Sequence, residues 1–348
     1  MLFLLLVLSL FSLVAAFAFL EQSKDKFTLY CYLGVGAALF LLASFKPVEA
    51  VADAENYLYM AEGGSDELLV EPSFLVISSI AENFFGSTYF LFFLYSLIAI
   101  PLKLWTISRL SQTWFFSLLF WLSHFFIMHD LTQIRASAAV AFFLFGLYFL
   151  TQRRRVAFLL CAGAASVFHI SAIILFPLVL LGNAPLSGRW KLFLAIAPMI
   201  GYAMAIAKFN FMTTIPIPYI QEKVEIYEAA RDAGVMESDE INLFNAVVLV
   251  KLLAYYLLLW KYEVVRERGP EISLWLKIQA LSIVCYTAFS FLPALSVRTS
   301  ELYGVVEILL FPALIYIVRP QWAGKLLAIC FASGVILLDI FYTHLIKL

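Results

Sequence analysis

Charge is what this sequence has least of. Asp, Glu, Lys and Arg make up 14% of its 348 residues, against 64% hydrophobic residues and a mean hydropathy of +0.94. A soluble domain carries roughly a quarter of its residues as charges, so a water-soluble fold is excluded. Cysteine is also scarce. Cys31, Cys161, Cys285 and Cys330 all lie in apolar runs and none forms a CxxC pair, which removes a disulfide framework and a thiolate metal site from consideration. No linker, low-complexity segment or internal repeat divides the chain, so 1–348 reads as a single integral domain. The formal net charge of −1 says nothing by itself about nucleic acid, which is not an expected partner; the partner that composition demands is the lipid bilayer.

What is present is a succession of apolar runs, many near the roughly 18 residues that mark a membrane-crossing helix. Spans are expected near 2–20, 27–45, 87–107, 113–128, 132–151, 155–168, 170–182, 190–207, 243–261, 272–293, 300–318 and 326–346. The fold class is therefore all-α, a polytopic membrane protein of about 11–12 transmembrane helices. The run at 2–20 has no basic flank and is long enough to span, so it reads as a retained helix rather than a secretory signal. EPSFLVISSIAENFF, 71–85, is short and suits an amphipathic helix lying in the interface. Two polar loops remain, 46–73 and 208–242, each with seven acidic residues.

Lys and Arg set the orientation. Fifteen fall on one side of the expected spans and seven on the other, with Lys251 inside a span; the richer side is read as cytoplasmic, which turns both acidic loops outward. That assignment requires 155–182 to cross twice, as two short helices of roughly 20 Å each, with the break at His169 and Ser171.

Against this apolar background, HDLTQIRASAAVAF, 129–142, sets Arg135 at the start of a span after a polar turn. His169 lies at the outer break. Arg298 and Glu301, in SVRTSELYG, open the span 300–318, and Asp53, Glu55 and Tyr57 lie in the first outer loop. Ionisable groups at membrane depth are costly unless paired and commonly functional. Each also has a structural reading: Arg135 snorkelling to headgroups or paired with Asp130, His169 as a hydrogen-bonded core histidine, Arg298 and Glu301 as an i,i+3 ion pair. Two outer arginines aimed between helices suit a phosphate or diphosphate held by bidentate contacts. Carboxylates and tyrosines in the acidic loop suit a sugar acceptor whose hydroxyl is deprotonated by a general base. Together they point to glycosyl transfer from a lipid diphosphate.

Four segments in order, DAENYLYM followed by EPSF, IRASAAVAF, FHISAIILF and VRTSELYG, resemble the motifs of EpsG-like Wzy polysaccharide polymerases over roughly residues 50–310. The chain departs from that pattern at Ala136, where the family commonly has Gln. The resemblance implies a GT-C-like architecture and an inverting, metal-independent glycosyltransferase with no cofactor. It would polymerise undecaprenyl-diphosphate-linked oligosaccharide repeat units into O-antigen or exopolysaccharide at the periplasmic face of the bacterial inner membrane. On this resemblance Arg135 and Arg298 hold the diphosphate, and His169 is the base or a diphosphate ligand. Asp53 and Glu301 are rival bases, Tyr57 and Tyr303 contact the acceptor sugar, and a Wzz-type chain-length co-polymerase is a partner. Two other readings stand beside it: a metal-dependent lipid-linked glycosyltransferase using the D-x-E of Asp53 and Glu55, and a non-enzymatic flippase or exporter of lipid-linked sugars.

Overall fold

The computed structural model describes residues 1–64, 70–209, 241–343 and 345–346. Among these the only extended pairing is an isolated bridge between Val51 and Ile346, and the rest is helix and connection. Eight described helices are long and apolar enough to cross a membrane, joined by four shorter apolar ones. The protein is an all-α, multi-pass membrane protein.

Helix α1 (Leu2–Leu20) shows why such a sequence needs lipid. It has no charged residue, and it buries Val7, Leu10, Phe11, Val14 and Ala18 while exposing Leu5, Leu6, Leu13 and Phe19. A helix apolar all round satisfies its own backbone and suits hydrocarbon on its outer face. Its two serines bond inward as well, Ser9 Oγ to the Leu6 carbonyl at 2.9 Å and Ser12 Oγ to the Leu8 carbonyl at 2.8 Å.

The chain divides into two compact units: Met1–Ala184 with Lys261–Trp275 and Val305–Leu348, and Pro185–Trp260 with Leu276–Gly304. The chain passes between them more than once, so no single linker marks a boundary in the sequence. In the first unit, α1 is followed by α2 (Lys26–Ser44), α3 (Ala54–Ala61), α4 (Pro72–Phe85), α5 (Phe90–Leu110), α6 (Trp114–Phe120), α7 (Ile134–Thr151) and α8 (Arg155–Phe168). One end of this unit is tied together by polar groups. The Glu21 carboxylate accepts from Trp114 N and Phe115 N at the start of α6, at 2.9 and 3.1 Å, where a helix N-terminus favours an anion. Lys325 donates to the Phe19 and Glu21 carbonyls at 2.8 Å each, and Lys24 to the Ser111 carbonyl at 2.6 Å. Lys24, Lys325 and the Arg109 end of α5 thus share one end, the grouping the basic residues imply. In the second unit, α9 (Gly188–Ile206) is held to the helix Ala246–Trp260 by Tyr255 Oη and Tyr256 Oη, which donate to the Leu194 and Ala195 carbonyls at 2.8 Å each.

Several boundaries differ from the sequence reading. The polar HDLTQ stretch is no turn: α6 runs on as a wide π-helical segment, Trp121–Thr132, and only Gln133 separates it from α7. The span expected at 300–318 begins earlier, at Pro293, so Arg298 and Glu301 lie inside the helix Pro293–Gly304 rather than opening it. Pro293 stands at the first helical position, where its missing N–H leaves no bond unmade. Lys103, counted as a cytoplasmic flank, and Lys46, counted on the opposite side, are both fully buried; neither reports topology, and the asymmetry survives their removal. By contrast, the chain breaks at His169, whose backbone is extended between α8 and a 3-10 helix, Ile170–Leu180, as the sequence reading expects. The acidic segment 221–240, within the second polar loop, lies outside the described residues.

Candidate active site

The candidate site is assembled in the first unit from four elements. Asp53 ends the first loop in a left-handed backbone conformation, φ +62°, a region that aspartate tolerates better than most residues and that is enriched at functional positions. Its carbonyl accepts from Tyr57 N at 3.0 Å, opening α3. The Asp53 side chain is exposed while Tyr57 is buried, with its ring 6.0 Å from that of Phe74 on α4. Pro72 at the first position starts α4 and Gly86, φ +70°, stops it. The helix buries Phe74, Ile77 and Ala81 and turns Leu75, Val76 and Phe84 outward, as an interfacial helix does. Ser73 Oγ donates to the Val167 carbonyl at 2.7 Å, fastening the start of α4 to the end of α8.

That bond brings Glu71, the N-cap of α4, beside His169. One carboxylate oxygen, Oε1, lies 3.3 Å from His169 Nδ1, and the other, Oε2, accepts from Arg135 Nη1. The guanidinium lies above two aromatic rings, 5.5 Å from the centroid of Tyr57 and 5.7 Å from that of Phe74. The side chains of Arg135 and His169 keep 19% of their surface accessible and that of Glu71 keeps 10%, so the cluster is recessed yet open. Burial pushes the Glu71 carboxyl upward, but the hydrogen bond with His169 and the charge of Arg135 outweigh it and hold the group at about 2. Burial raises the Tyr57 phenol against the opposing pull of Arg135.

Two polar atoms here are left over. Arg135 Nε and Tyr95 Oη are buried and have no hydrogen-bond partner among the described residues. Tyr95, on α5, packs edge-on to Phe168, the residue before His169, and lies within electrostatic reach of Tyr57, Arg135 and Glu71. An orphaned buried donor costs about 1–3 kcal/mol, and a ligand bearing several oxygens would relieve both.

A second polar cluster lies a short way along the same stretch. Asp130, on the π-helical segment, does not pair with Arg135. It binds Lys103 Nζ through both oxygens at 2.7 and 2.9 Å, and accepts from Trp121 Nε1 at 2.9 Å and Ser137 Oγ at 2.6 Å. Lys103 Nζ also donates to Ser137 Oγ at 3.0 Å. Lys46 donates to the carbonyls of Asp130 and Leu131, capping the π-helical segment next to Arg135. Burial brings the Lys46 ammonium down to about 7, with the Asp130 charge opposing.

The remaining sequence candidates belong to the second unit. Arg298 is exposed, Glu301 half-buried and Tyr303 buried on the helix Pro293–Gly304, which Ser296 Oγ and Ser282 Oγ fasten to the helix Ile272–Ala288 through the Tyr286 and Ser300 carbonyls at 2.6 Å each. Of the residues chosen from sequence, Arg135, His169 and Tyr57 converge, with Asp53 at the edge of the same helix. The residue passed over is Glu71. Its signal was an acidic side chain directly before a proline that opens an apolar helix, within the EPSF segment already noted. Among the described residues, no three His, Cys, Asp or Glu side chains gather as a metal site would need.

No curated protein and no solved structure matches the chain. The EpsG family profile matches residues 29–347, a range that holds every residue of this cluster. That match covers nearly the whole sequence, and the chain therefore belongs to the EpsG family, which is associated with polysaccharide polymerisation.

Proposed function

We propose that the protein is an inverting glycosyltransferase that polymerises undecaprenyl-diphosphate-linked oligosaccharide repeat units into O-antigen or exopolysaccharide. It works in the bacterial inner membrane, with the Glu71–Arg135–His169 cluster facing the periplasm. The observation that carries this reading is an arginine and a histidine meeting at one recessed anion position, with a guanidinium N–H still unfilled. Arg135 holds the donor diphosphate and stabilises the charge that grows on it as the anomeric carbon–oxygen bond breaks; donors of this kind contribute about 10²–10³ in rate. Tyr57 and the carboxylate of Asp53 line the approach of the acceptor sugar, and His169 assists proton removal or binds the diphosphate. Arg298, Glu301 and Tyr303 keep the roles the family resemblance gives them, each testable by its own substitution.

Purified protein in lipid vesicles, given lipid-diphosphate repeat units, should produce a ladder of lengthening glycans, and Arg135→Ala should not. Translocation of the lipid without any polymer would overturn the reading in favour of a flippase. Activity abolished by a chelator and restored by a divalent cation would assign the chemistry to a metal-dependent enzyme.

A further inference from the structure

The anion position at Arg135 is already filled, by the protein's own Glu71. A side chain that sits where the substrate's charge belongs must leave before the substrate arrives. We propose that Glu71 is a gated base: its carboxylate occupies the anion position between Arg135 and His169 until the donor diphosphate displaces it from Arg135, and the released carboxylate then takes the proton of the acceptor hydroxyl. This rests on the polymerase reading above and extends it by giving Glu71 a chemical role that the reading leaves unassigned.

Three features support the gate. Glu71 divides its two oxygens between Arg135 Nη1 and His169 Nδ1, so losing Arg135 still leaves it one partner and a place in the site. A carboxylate cannot complete this site, because Arg135 Nε, on the very guanidinium it binds, stays buried and unpartnered. A diphosphate offers more acceptor oxygens, in a geometry a guanidinium grips through two N–H groups at once. Finally, the side chain belongs to the N-cap of the 14-residue helix α4, whose start is fixed by Ser73; a small side-chain rotation exchanges its partner without moving the helix.

The exchange also alters basicity in the useful direction. While it holds both His169 and Arg135, Glu71 stays near 2, lowered first by the hydrogen bond with His169 and then by the Arg135 charge, and is too weak a base to assist a sugar hydroxyl. Once the diphosphate takes the guanidinium, Glu71 loses a neighbouring positive charge and gains a negative one, and both changes raise its proton affinity. The acceptor oxygen then bonds to the anomeric carbon, and its proton passes to Glu71. The bond between that carbon and the diphosphate oxygen breaks, with its electron pair leaving on the diphosphate. Base strength appears only when the donor is seated, which ties proton removal to donor binding.

The test uses full-length protein in nanodiscs with farnesyl diphosphate as the binding probe and repeat-unit lipid as the substrate. Glu71→Gln removes the competing charge at nearly constant shape. It should bind farnesyl diphosphate about tenfold more tightly, a coupling of ordinary size, and form polymer at least 100-fold more slowly, in line with the 10²–10⁴-fold worth of a general base. Glu71→Ala should be equally slow and recover activity when formate is added. Unchanged or weaker probe binding by Glu71→Gln, or polymer formation near the wild-type rate, would overturn the gate while leaving the polymerase reading intact. Should Glu71→Gln fail to fold, absence of formate rescue in Glu71→Ala overturns it instead. If wild-type protein binds no farnesyl diphosphate, both readings fall together.

Discussion

Asp130 and Arg135 stand five residues apart in one apolar stretch, yet they belong to two polar clusters of opposite character. Around Asp130, Lys103 and the carboxylate keep at most 1% of their side-chain surface accessible. Trp121, Ser137 and Lys103 close every bond, so nothing is left to offer a ligand. Around Arg135 the side chains are 10–19% accessible and two buried polar atoms have no partner. A charge pair in lipid must be complete if its task is to hold helices together, because an unpaired ion there costs several kcal/mol. A site that binds substrate must stay incomplete until the substrate comes. The first cluster is thus a brace that fixes the π-helical segment against α5 and α7. The second, on the proposed function, is a receptor placed on the end of that brace.

The sharpest way to break this comparison is to remove one charge from each. Lys103→Met leaves the buried Asp130 without its counter-ion, and should cost about 3–5 kcal/mol, seen as a large loss of thermal stability and yield; adding Asp130→Leu should restore most of it. Arg135→Ala should slow polymer formation by about 10²–10³ while the melting temperature stays near that of wild type, since the partner it abandons is recessed but open to water. Should Arg135→Ala destabilise the protein as much as Lys103→Met, the two clusters are both braces. Ser137→Ala removes a hydrogen bond from each side of the buried pair and should cost about 1–2 kcal/mol with the rate unchanged. Tyr95→Phe, the one change that should not destabilise, deletes a buried hydroxyl that has no partner. It should leave the protein at least as stable as wild type, gaining up to about 1–3 kcal/mol as the orphaned donor is removed, yet slow the reaction several-fold if that hydroxyl meets the donor.

Much of the architecture was legible because it depends on local composition. The first helix matches its apolar run from Leu2 to Leu20, and the break at His169 follows from a run too long for one helix and too short for two full spans. Other features were hidden for physical reasons. Lys103 stands near the end of an apolar run, where a charge counter takes it for a flank; its true partner is 27 residues away on another helix. The extent of α6 was missed because π-helical winding alters the period that sequence patterns are read against. Arg135 and His169 announced themselves as ionisable groups among apolar residues. Glu71 did not, since an acid in an acidic loop is unremarkable until its partners, 64 and 98 residues distant, are known.

Composition and periodicity by themselves determined that this chain crosses a membrane many times as helices, because hydrocarbon leaves its backbone no other way to satisfy its hydrogen bonds. They also picked out Arg135 and His169 as groups that such a setting tolerates only with partners. Which partners they have was decided by the tertiary structure alone. Pairing in a low-dielectric interior depends on a few ångströms of approach between segments far apart in sequence, and helix packing sets that distance.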